Sequence, residues 1–192
     1  MALTDENAFG LLVQLYDIEE LEYGSESEDF AARFVRFRTL VLEHATTHPL
    51  GEGAIALELG HAVYFEIGDG DQGSDPIAWL RGLCAPLVHD GFELAAVVSH
   101  GGRWVDDDAR GTPEVLPLDG GYRALRFGYP SEPLQRALRA AAFCHGSDGE
   151  DGWGAGLFVD TEAVEALGKQ LRNAPTPLSA GSATFYRLGL PR

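Results

Sequence analysis

The chain consists of short apolar runs that glycine, proline or acidic residues interrupt, and this pattern restricts it to a fold of many short elements. The run FGLLVQLY (9–16) ends at an aspartate and predicts a buried strand. The runs AIALEL (54–59) and AVYFEI (62–67) lie on either side of Gly60 and His61. Two β-rich runs around a short turn with glycine predict a β-hairpin.

Further strands are predicted in the second half of the chain. The run LAAVVS (94–99) predicts a strand, and Gly101-Gly102 predicts a turn into a short strand at 103–105, because paired glycines favour turns. The acidic segment 106–115 predicts an exposed loop or the tip of a long hairpin. The remaining strands are predicted at 122–127, 157–160 and 183–188.

Four helices are predicted between these strands. Ser27 is a favourable N-cap, and the acidic residues that follow it suit the positive end of a helix. Aromatic and aliphatic residues then recur at helical spacing, so a long amphipathic helix is expected to run to about Thr46. Asp75-Pro76 predicts the start of a second helix, with the proline at its first position, and this helix is expected to run to Leu87. The other two helices are predicted from Leu134 to Phe143 and from Thr161 to Leu171.

The element order β-α-β-β-α-β-β-α-β-α-β predicts the fold class. We expect an α+β, ferredoxin-like sandwich with a largely antiparallel sheet and helices packed on one face. With 192 residues, of which 45% are hydrophobic, the chain is long enough for one packed core. No internal repeat or linker divides it, so a single domain spanning 1–192 is predicted.

Charge excludes several classes of partner. The chain carries 14 Lys and Arg against 30 Asp and Glu, a formal net charge of −16, which would repel nucleic acids and anionic membranes. No apolar run approaches the ~18 residues of a membrane span, and the first residues do not form a signal peptide. Cys84 and Cys144 lie in no metal-binding spacing and are expected to be free buried thiols. We therefore expect a cytoplasmic protein with no nucleic-acid or membrane partner.

Five segments occur in the order that a known family shows. They are LLVQLYDIEEL (11–21), LELGHAVYFEI (57–67), AAVVSHGGRWV (95–105), EPLQRALRAAAF (132–143) and GLFVDTEAVEAL (156–167). Together they cover nearly the whole chain and resemble the catalytic domain of class III nucleotidyl cyclases, which make cyclic AMP or cyclic GMP. Each segment is short and altered, and the specificity lies in their order.

The resemblance implies a set of site residues. The family holds two magnesium or manganese ions with two aspartates, and an Asn and an Arg on a later helix contact the ribose and the reacting phosphate. Asp17 falls on the first metal position and His61 on the second. Gln135 falls on the Asn position and Arg139 on the Arg position, with the spacing preserved.

The chain departs from the family pattern at several of these positions. Imidazole does not replace a carboxylate as a ligand of a hard cation, so His61 is unsuited to magnesium. Leu57 occupies the position of the base-reading Lys, and no acidic residue stands at 126–128, where the base-reading Asp is expected. The acidic run Glu19–Glu22 follows the first metal position and would repel a triphosphate.

Three further patterns have structural alternatives. Ile67-Gly68-Asp69-Gly70 matches the family's metal hairpin in letters, but a loop and not a strand follows it. With Asp71 and Asp75 it could bind calcium weakly, and a solvated acidic turn is the simpler interpretation. Asp17, His61 and His100 could form a zinc-like site, against the alternative that both histidines are structural.

The departures predict the function. We expect a catalytically degenerate cyclase-homology domain with a regulatory, scaffold or heteromeric-partner role and no cofactor. The alternatives are a divergent nucleotidyl cyclase that uses Mg or Mn, and a nucleotide or metabolite sensor without turnover. Because family sites form between two subunits, we expect a homodimer, or a heterodimer with another cyclase-like chain. Its surface should include Asp17, the His61 turn and the helix that carries Gln135 and Arg139.

Overall fold

The computed structural model describes residues 4–16, 27–51, 54–70, 75–105, 114–117, 123–126, 131–145, 152–168 and 176–190. Within these ranges the chain forms nine strands and four helices. The strands are β1 (Thr4–Leu15), β2 (Ile55–Glu58), β3 (Ala62–Gly68), β4 (Leu94–Val105), β5 (Glu114–Pro117), β6 (Arg123–Arg126), β7 (Gly156–Asp160), β8 (Pro177–Ala180) and β9 (Ala183–Leu188). The helices are α1 (Ser27–Thr47), α2 (Pro76–His89), α3 (Glu132–His145) and α4 (Thr161–Ala166).

Seven strands form one sheet in the order β2-β3-β1-β4-β7-β9-β8. Every neighbouring pair is antiparallel except β4 and β7, which are parallel. The prediction that the runs at 11–16, 55–59, 63–67 and 94–98 share one sheet is confirmed, as is the largely antiparallel α+β class. β5 and β6 form a separate antiparallel ribbon, so the strand predicted at 122–127 lies outside the main sheet.

The first face of the sheet is covered by α1, α2 and α4. Phe9, Leu11 and Val13 of β1 point to this face and pack in one buried cluster with residues of all three helices. These three helices begin where the sequence predicts, at Ser27, Pro76 and Thr161. The carboxylate of Asp75 accepts hydrogen bonds from the backbone N–H groups of Ile77 and Ala78, which caps α2.

The opposite face of the sheet is covered by α3, so the expectation that all helices pack on one face is wrong. Leu12, Tyr64 and Val97 form a second buried cluster with α3. The residues that α3 buries there are small, which lets the helix lie close to the strands; they are Ala137, Ala140, Ala141 and Cys144. The sequence contains a signal for this arrangement, because continuous apolar runs such as those of β1 and β4 indicate strands covered on both faces.

The predicted turn at Gly101-Gly102 is also wrong. β4 continues straight through both glycines and pairs with β1 along its whole length. The first of the pair is required for another reason. A Cβ on Gly101 would lie 2.9 Å from Oε2 of Glu132, so a larger residue would force the Glu132 side chain at the start of α3 to move.

Three smaller differences concern element bounds. β1 begins at Thr4, before the apolar run, because its ladder with β4 starts with Thr4 opposite Val105. β8 was not predicted; it pairs with β9 across a turn at Gly181, which has a φ of +64°. The last helix ends at Ala166 with Leu167 as its C-cap, and Gly168 follows with a φ of +58°, so its predicted continuation to Leu171 is wrong at these residues. Residues 169–171 and the segment 106–113 lie outside the described residues.

Candidate functional site

The turn between β2 and β3 brings His61 to the end of β1. The backbone N–H of Leu15 donates a hydrogen bond to the carbonyl of His61 over 3.1 Å, which extends the pairing of the two strands by one step. The His61 side chain is partly buried there. Asp17, two residues beyond Leu15 in sequence, lies outside the described residues, as does the acidic run 19–22, so the first metal position stays a prediction.

A second histidine lies beside His61. Gln14, which is 8% exposed, donates from its amide to Nε2 of His145 at the end of α3 over 3.0 Å. Tyr16 stacks on the His145 ring with centroids 5.0 Å apart and an interplanar angle of 15°. The sequence did not identify His145 as a site residue, and the one local signal of this contact is a polar Gln14 within an apolar strand.

Burial sets the electrostatics at this turn. The pKa of His61 is lowered, first by burial and second by the positive charge that His145 carries when protonated. A pKa below the ordinary value of about 6.5 leaves the His61 imidazole neutral at pH 7. A neutral imidazole beside another histidine does not supply the oxygen ligands that magnesium and manganese prefer. The described donors at this turn therefore do not fit the metals that the family resemblance implies.

His100 does not belong to this site. It pairs with Phe9 on β1, whereas the His61 carbonyl contacts Leu15, so about 20 Å of strand separates the two histidines. His100 instead donates from Nε2 to the carboxylate of Asp69 at 3.0 and 3.1 Å. The zinc-like grouping with His61 is therefore wrong, and Asp69 of the Ile-Gly-Asp-Gly sequence has a structural contact. No cluster of three His, Cys, Asp or Glu suited to a metal occurs within the described ranges.

Leu57 occupies an apolar environment. Its side chain is partly buried and packs against the cluster on the second face, together with Leu59 and Tyr16. A leucine there offers no hydrogen bond to a base. The position expected for the base-reading aspartate, 126–128, has no described side chain.

The other two family positions lie on the exposed side of α3. Gln135 and Arg139 are exposed, and the Arg139 guanidinium makes no ion pair with a residue that the structure describes. From Gln135 to His145 the helix rises about 15 Å, so Gln135 lies away from the His61 turn of its own chain. Within one copy of the chain, Gln135 and His61 are therefore not brought together.

Arg136, next to Gln135 on α3, is bound within the chain. It pairs with Glu132 one turn earlier and with Glu162 of α4 at 2.7 Å, and its guanidinium lies 3.7 Å from Asp160. Arg136 and Arg139 are three residues apart on α3, a spacing that makes them neighbours on the helix surface. The structure separates their environments, because only Arg136 reaches the acidic residues at the start of α4.

Asp160 is a carboxylate whose pKa is raised well above its ordinary value. It is fully buried at the end of β7, where it accepts hydrogen bonds from the backbone N–H groups of His100 at 3.0 Å and Ala163 at 2.6 Å. Burial raises its pKa to about 6, and the hydrogen bonds and Arg136 only partly oppose the shift.

The amino end of α3 is fixed to the sheet by a second buried acid. Ser131 caps the helix by accepting from the N–H of Leu134 at 3.2 Å and donates its hydroxyl to Glu66 of β3. Glu66 is 2% exposed and also accepts from the hydroxyl of Tyr64 at 2.6 Å. These contacts set the position of α3, and with it the position of Gln135 and Arg139.

Comparison with known proteins gives a match at the level of structure. No family model matches the chain, and no curated protein matches it. Among solved structures, the guanylyl cyclase Cya2 superposes with a TM-score of 0.61 at 11% identity, covering 100% of this chain and 96% of that one. The adenylyl cyclase CyaB from P. aeruginosa gives 0.60 at 11% identity, covering 100% and 98%. The chain has the fold of nucleotidyl cyclase domains.

A third cyclase domain is informative about assembly. The guanylyl cyclase domain of the RhoGC fusion protein from Blastocladiella emersonii, described as dimeric, superposes with a TM-score of 0.59 at 12% identity, covering 98% of this chain and 99% of that one. Among the described residues, no helix has the length and apolar character needed to cross a membrane.

Proposed function

We propose that this chain is a catalytically degenerate cyclase-homology domain that acts as a regulatory or heteromeric partner. The observation that carries the proposal is the His61 turn. His61, which the sequence resemblance assigns to the second metal position, is a partly buried neutral imidazole next to His145, whereas a hard cation requires a carboxylate. A chain with this substitution does not assemble a two-metal site from its own residues.

The base-binding side supports the same conclusion. Leu57 packs with Leu59 and Tyr16 at the edge of the apolar cluster on the second face. An apolar contact at this place favours the docking of another apolar surface over the recognition of a nucleobase by hydrogen bonds. This apolar environment supports a role in contact with another protein.

The exposed side of α3 provides such a surface. Leu138 is 42% exposed and Phe143 39% exposed, although most large apolar residues of a folded chain are buried. Phe143 stacks on Trp153 with centroids 5.5 Å apart, which broadens the apolar area. Arg139 lies between them in sequence with its guanidinium free of ion pairs with described residues. This combination favours a partner with apolar groups and a carboxylate.

The dimeric RhoGC domain supports pairing as a use of this fold, and a further crystal of the RhoGC domain is described as monomeric. The fold is therefore compatible with both states. We propose association through the α3 surface, either between two copies or with an intact cyclase-like chain.

Turnover tests the degenerate character. The purified chain should form no cyclic AMP from ATP and no cyclic GMP from GTP with magnesium or manganese, while an active cyclase domain does so in the same assay. His61→Asp alone should not restore activity, because Leu57 still offers no hydrogen bond to a base. Turnover above background that disappears in Asp17→Ala would favour the divergent-cyclase alternative.

Association tests the partner role. Sedimentation equilibrium at tens of micromolar should detect a dimer at moderate salt. A monomer under all conditions, together with failure to bind an active cyclase domain, would contradict the proposal. Thermal stabilisation by ATP or GTP without turnover would favour the sensor alternative.

A further inference from the structure

The end of α1 brings together two histidines four residues apart. His44 lies in the last turn of the helix, and His48 directly follows its last residue. The backbone N–H of His48 donates to the carbonyl of His44 over 2.8 Å, so the helical spacing extends to His48. Side chains at this spacing are neighbours on a helix surface. The two imidazole centroids lie 4.8 Å apart with an interplanar angle of 48°.

The separation of the two rings fits one shared metal ion. An imidazole nitrogen binds zinc at about 2.0–2.1 Å, and the bond angles of tetragonal and tetrahedral sites are about 90–110°. Two rings that meet these values have centroids about 4.5–5.2 Å apart. The observed 4.8 Å between His44 and His48 lies within this range.

One ring nitrogen of His44 is available as a ligand. Its Nε2 atom is shielded from solvent and makes no hydrogen bond with a described residue, an arrangement that costs free energy in the folded chain. A Cβ built on the exposed Gly82 of α2 would lie 3.3 Å from Cε1 and 3.7 Å from Nε2 of His44. The absent side chain therefore leaves room beside this edge of the ring. Burial lowers the pKa of His44, which favours the neutral imidazole that metals bind.

Trp79 of α2 restrains the histidine pair. Its indole N–H donates to the backbone carbonyl of His48 over 2.5 Å. Its ring meets the ring of His44 edge-on, with centroids 5.1 Å apart and an interplanar angle of 68°. Trp79 is itself buried, so it holds both residues against a rigid element. Such restraint reduces the freedom that the pair would lose on binding an ion.

The other pair of neighbouring histidines, His61 and His145, is less available to a metal. Nε2 of His145 already has the amide of Gln14 as a partner at 3.0 Å, and its ring is stacked on Tyr16. An ion there would have to displace this hydrogen bond. The pair at the end of α1 has no such competitor at Nε2 of His44 among the described residues.

We propose that His44 and His48 form a binding site for a divalent late transition metal, of which copper(II) binds most tightly. Imidazole suits copper, nickel and zinc, and the affinity of a given site is highest for copper among them. Mg²⁺ prefers oxygen ligands and should not compete. The net charge of −16 favours the approach of any cation. α1 covers the face of the sheet opposite to α3, so this site does not depend on the proposed partner role.

Titration with copper(II) chloride, followed in ¹H–¹⁵N spectra, tests the site. Paramagnetic Cu²⁺ broadens the resonances of nearby protons, so the indole N–H of Trp79 should broaden at substoichiometric copper. The indole N–H of Trp153 serves as the internal control, because the backbone of Trp153 is hydrogen-bonded to Phe143 near the end of α3. It should broaden only at higher copper. Trp79→Phe assigns the resonance. Diamagnetic Zn²⁺ should shift the Trp79 resonance, and Mg²⁺ should leave it unchanged.

Two variants separate this site from general binding of copper to histidines. His48→Ala removes one ligand but keeps the backbone carbonyl that accepts the Trp79 indole N–H. The copper concentration that broadens Trp79 should rise at least about tenfold in this variant. His89→Ala, at an exposed position at the end of α2, should leave the titration unchanged.

Three outcomes would overturn the proposal. The first is a Trp79 resonance that copper does not affect in the wild-type chain. The second is broadening of Trp79 that persists in His48→Ala at the wild-type copper concentration. The third is broadening of Trp153 together with or before Trp79, which would indicate adventitious copper only.

Discussion

The carboxylate of Asp160 accepts a backbone hydrogen bond where a strand partner is missing. β7 pairs with β4 only as far as Val98, so the N–H of His100 beyond that point has no strand partner on this side. The Asp160 carboxylate accepts that N–H and also caps α4 through Ala163. Satisfying two buried donors with one acid requires a carboxylate in a fully buried place, which explains its raised pKa.

Asp160→Asn should change how stability depends on pH. The folded pKa of about 6 lies above the ordinary 3.8, so the native state binds this proton more tightly than the unfolded state does. The contribution of Asp160 to stability is therefore present below pH 4 and lost as the pH rises to about 6. From pH 7 to pH 4 the wild-type chain should gain up to about 3 kcal/mol relative to the variant.

Urea unfolding at pH 4, 5, 6 and 7 measures this difference, and the comparison cancels the titration of the other carboxylates. Glu165→Gln, at an exposed position of the same helix, serves as the control and should leave the profile unchanged. Parallel profiles for wild type and Asp160→Asn would contradict the raised pKa.

Among the elements, α3 carries the proposed association surface, so its position determines where that surface lies. Its amino end is held to the sheet by Ser131 on Glu66 and by Glu132 on β4, where the Glu132 carboxylate accepts the N–H of Gly102 at 3.1 Å. Arg136 lowers the pKa of Glu132, first through their hydrogen bond, which keeps this acid ionised at pH 7. The close approach of Glu132 depends on Gly101.

Gly101→Ala should therefore loosen α3. Its Cβ would lie 2.9 Å from Oε2 of Glu132 and 3.0 Å from Cδ, so Glu132 must move and release the N–H of Gly102. We expect a loss of about 0.5–1.5 kcal/mol in the free energy of unfolding, the net contribution of one hydrogen bond, because this bond is exposed and water can replace the carboxylate.

The neighbouring glycine supplies the control. A Cβ on Gly102 lies 3.8 Å from the same oxygen, an ordinary contact, so Gly102→Ala should change stability by about 0.5 kcal/mol or less. Urea unfolding in a Glu132→Ala background should make the two substitutions equal. Equal costs in the wild-type background would contradict the role of Gly101.

For the whole molecule, the net charge opposes association and the apolar surface of α3 favours it. Two copies at −16 repel each other, whereas burial of the α3 surface contributes ~25 cal/mol per Å² of apolar area. The repulsion acts over distances that salt screens, and the apolar term does not depend on salt in the same way. Association should therefore strengthen from low to moderate salt.

Leu138→Glu should abolish that association, because it adds a negative charge to the centre of the proposed surface. Leu42→Glu is a matched control: Leu42 is 43% exposed against 42% for Leu138, and it lies on α1, across the sheet from α3. Light scattering at low and moderate salt distinguishes the two variants. Equal effects would place the contact elsewhere than on α3.

The sequence by itself determined the elements with local causes. α1 begins at Ser27 as predicted, α2 begins after its cap Asp75, and the hairpin around Gly60 forms as predicted. These signals act through neighbouring backbone groups, so they can be read without knowledge of distant residues. The order of such elements predicted the α+β class, and the resemblance of the five sequence segments to a known family predicted the cyclase-like fold.

The tertiary structure decided every feature that depends on partners far along the chain. It placed α3 on the second face, kept β4 straight through Gly101, and set His61 beside His145 and not His100. Strand register and helix packing determine these neighbours, and both arise from contacts between segments that are distant in sequence. For the same reason the sequence could identify Arg139 as a candidate, but only the fold shows that its side chain lies beside Gly181 in the turn between β8 and β9.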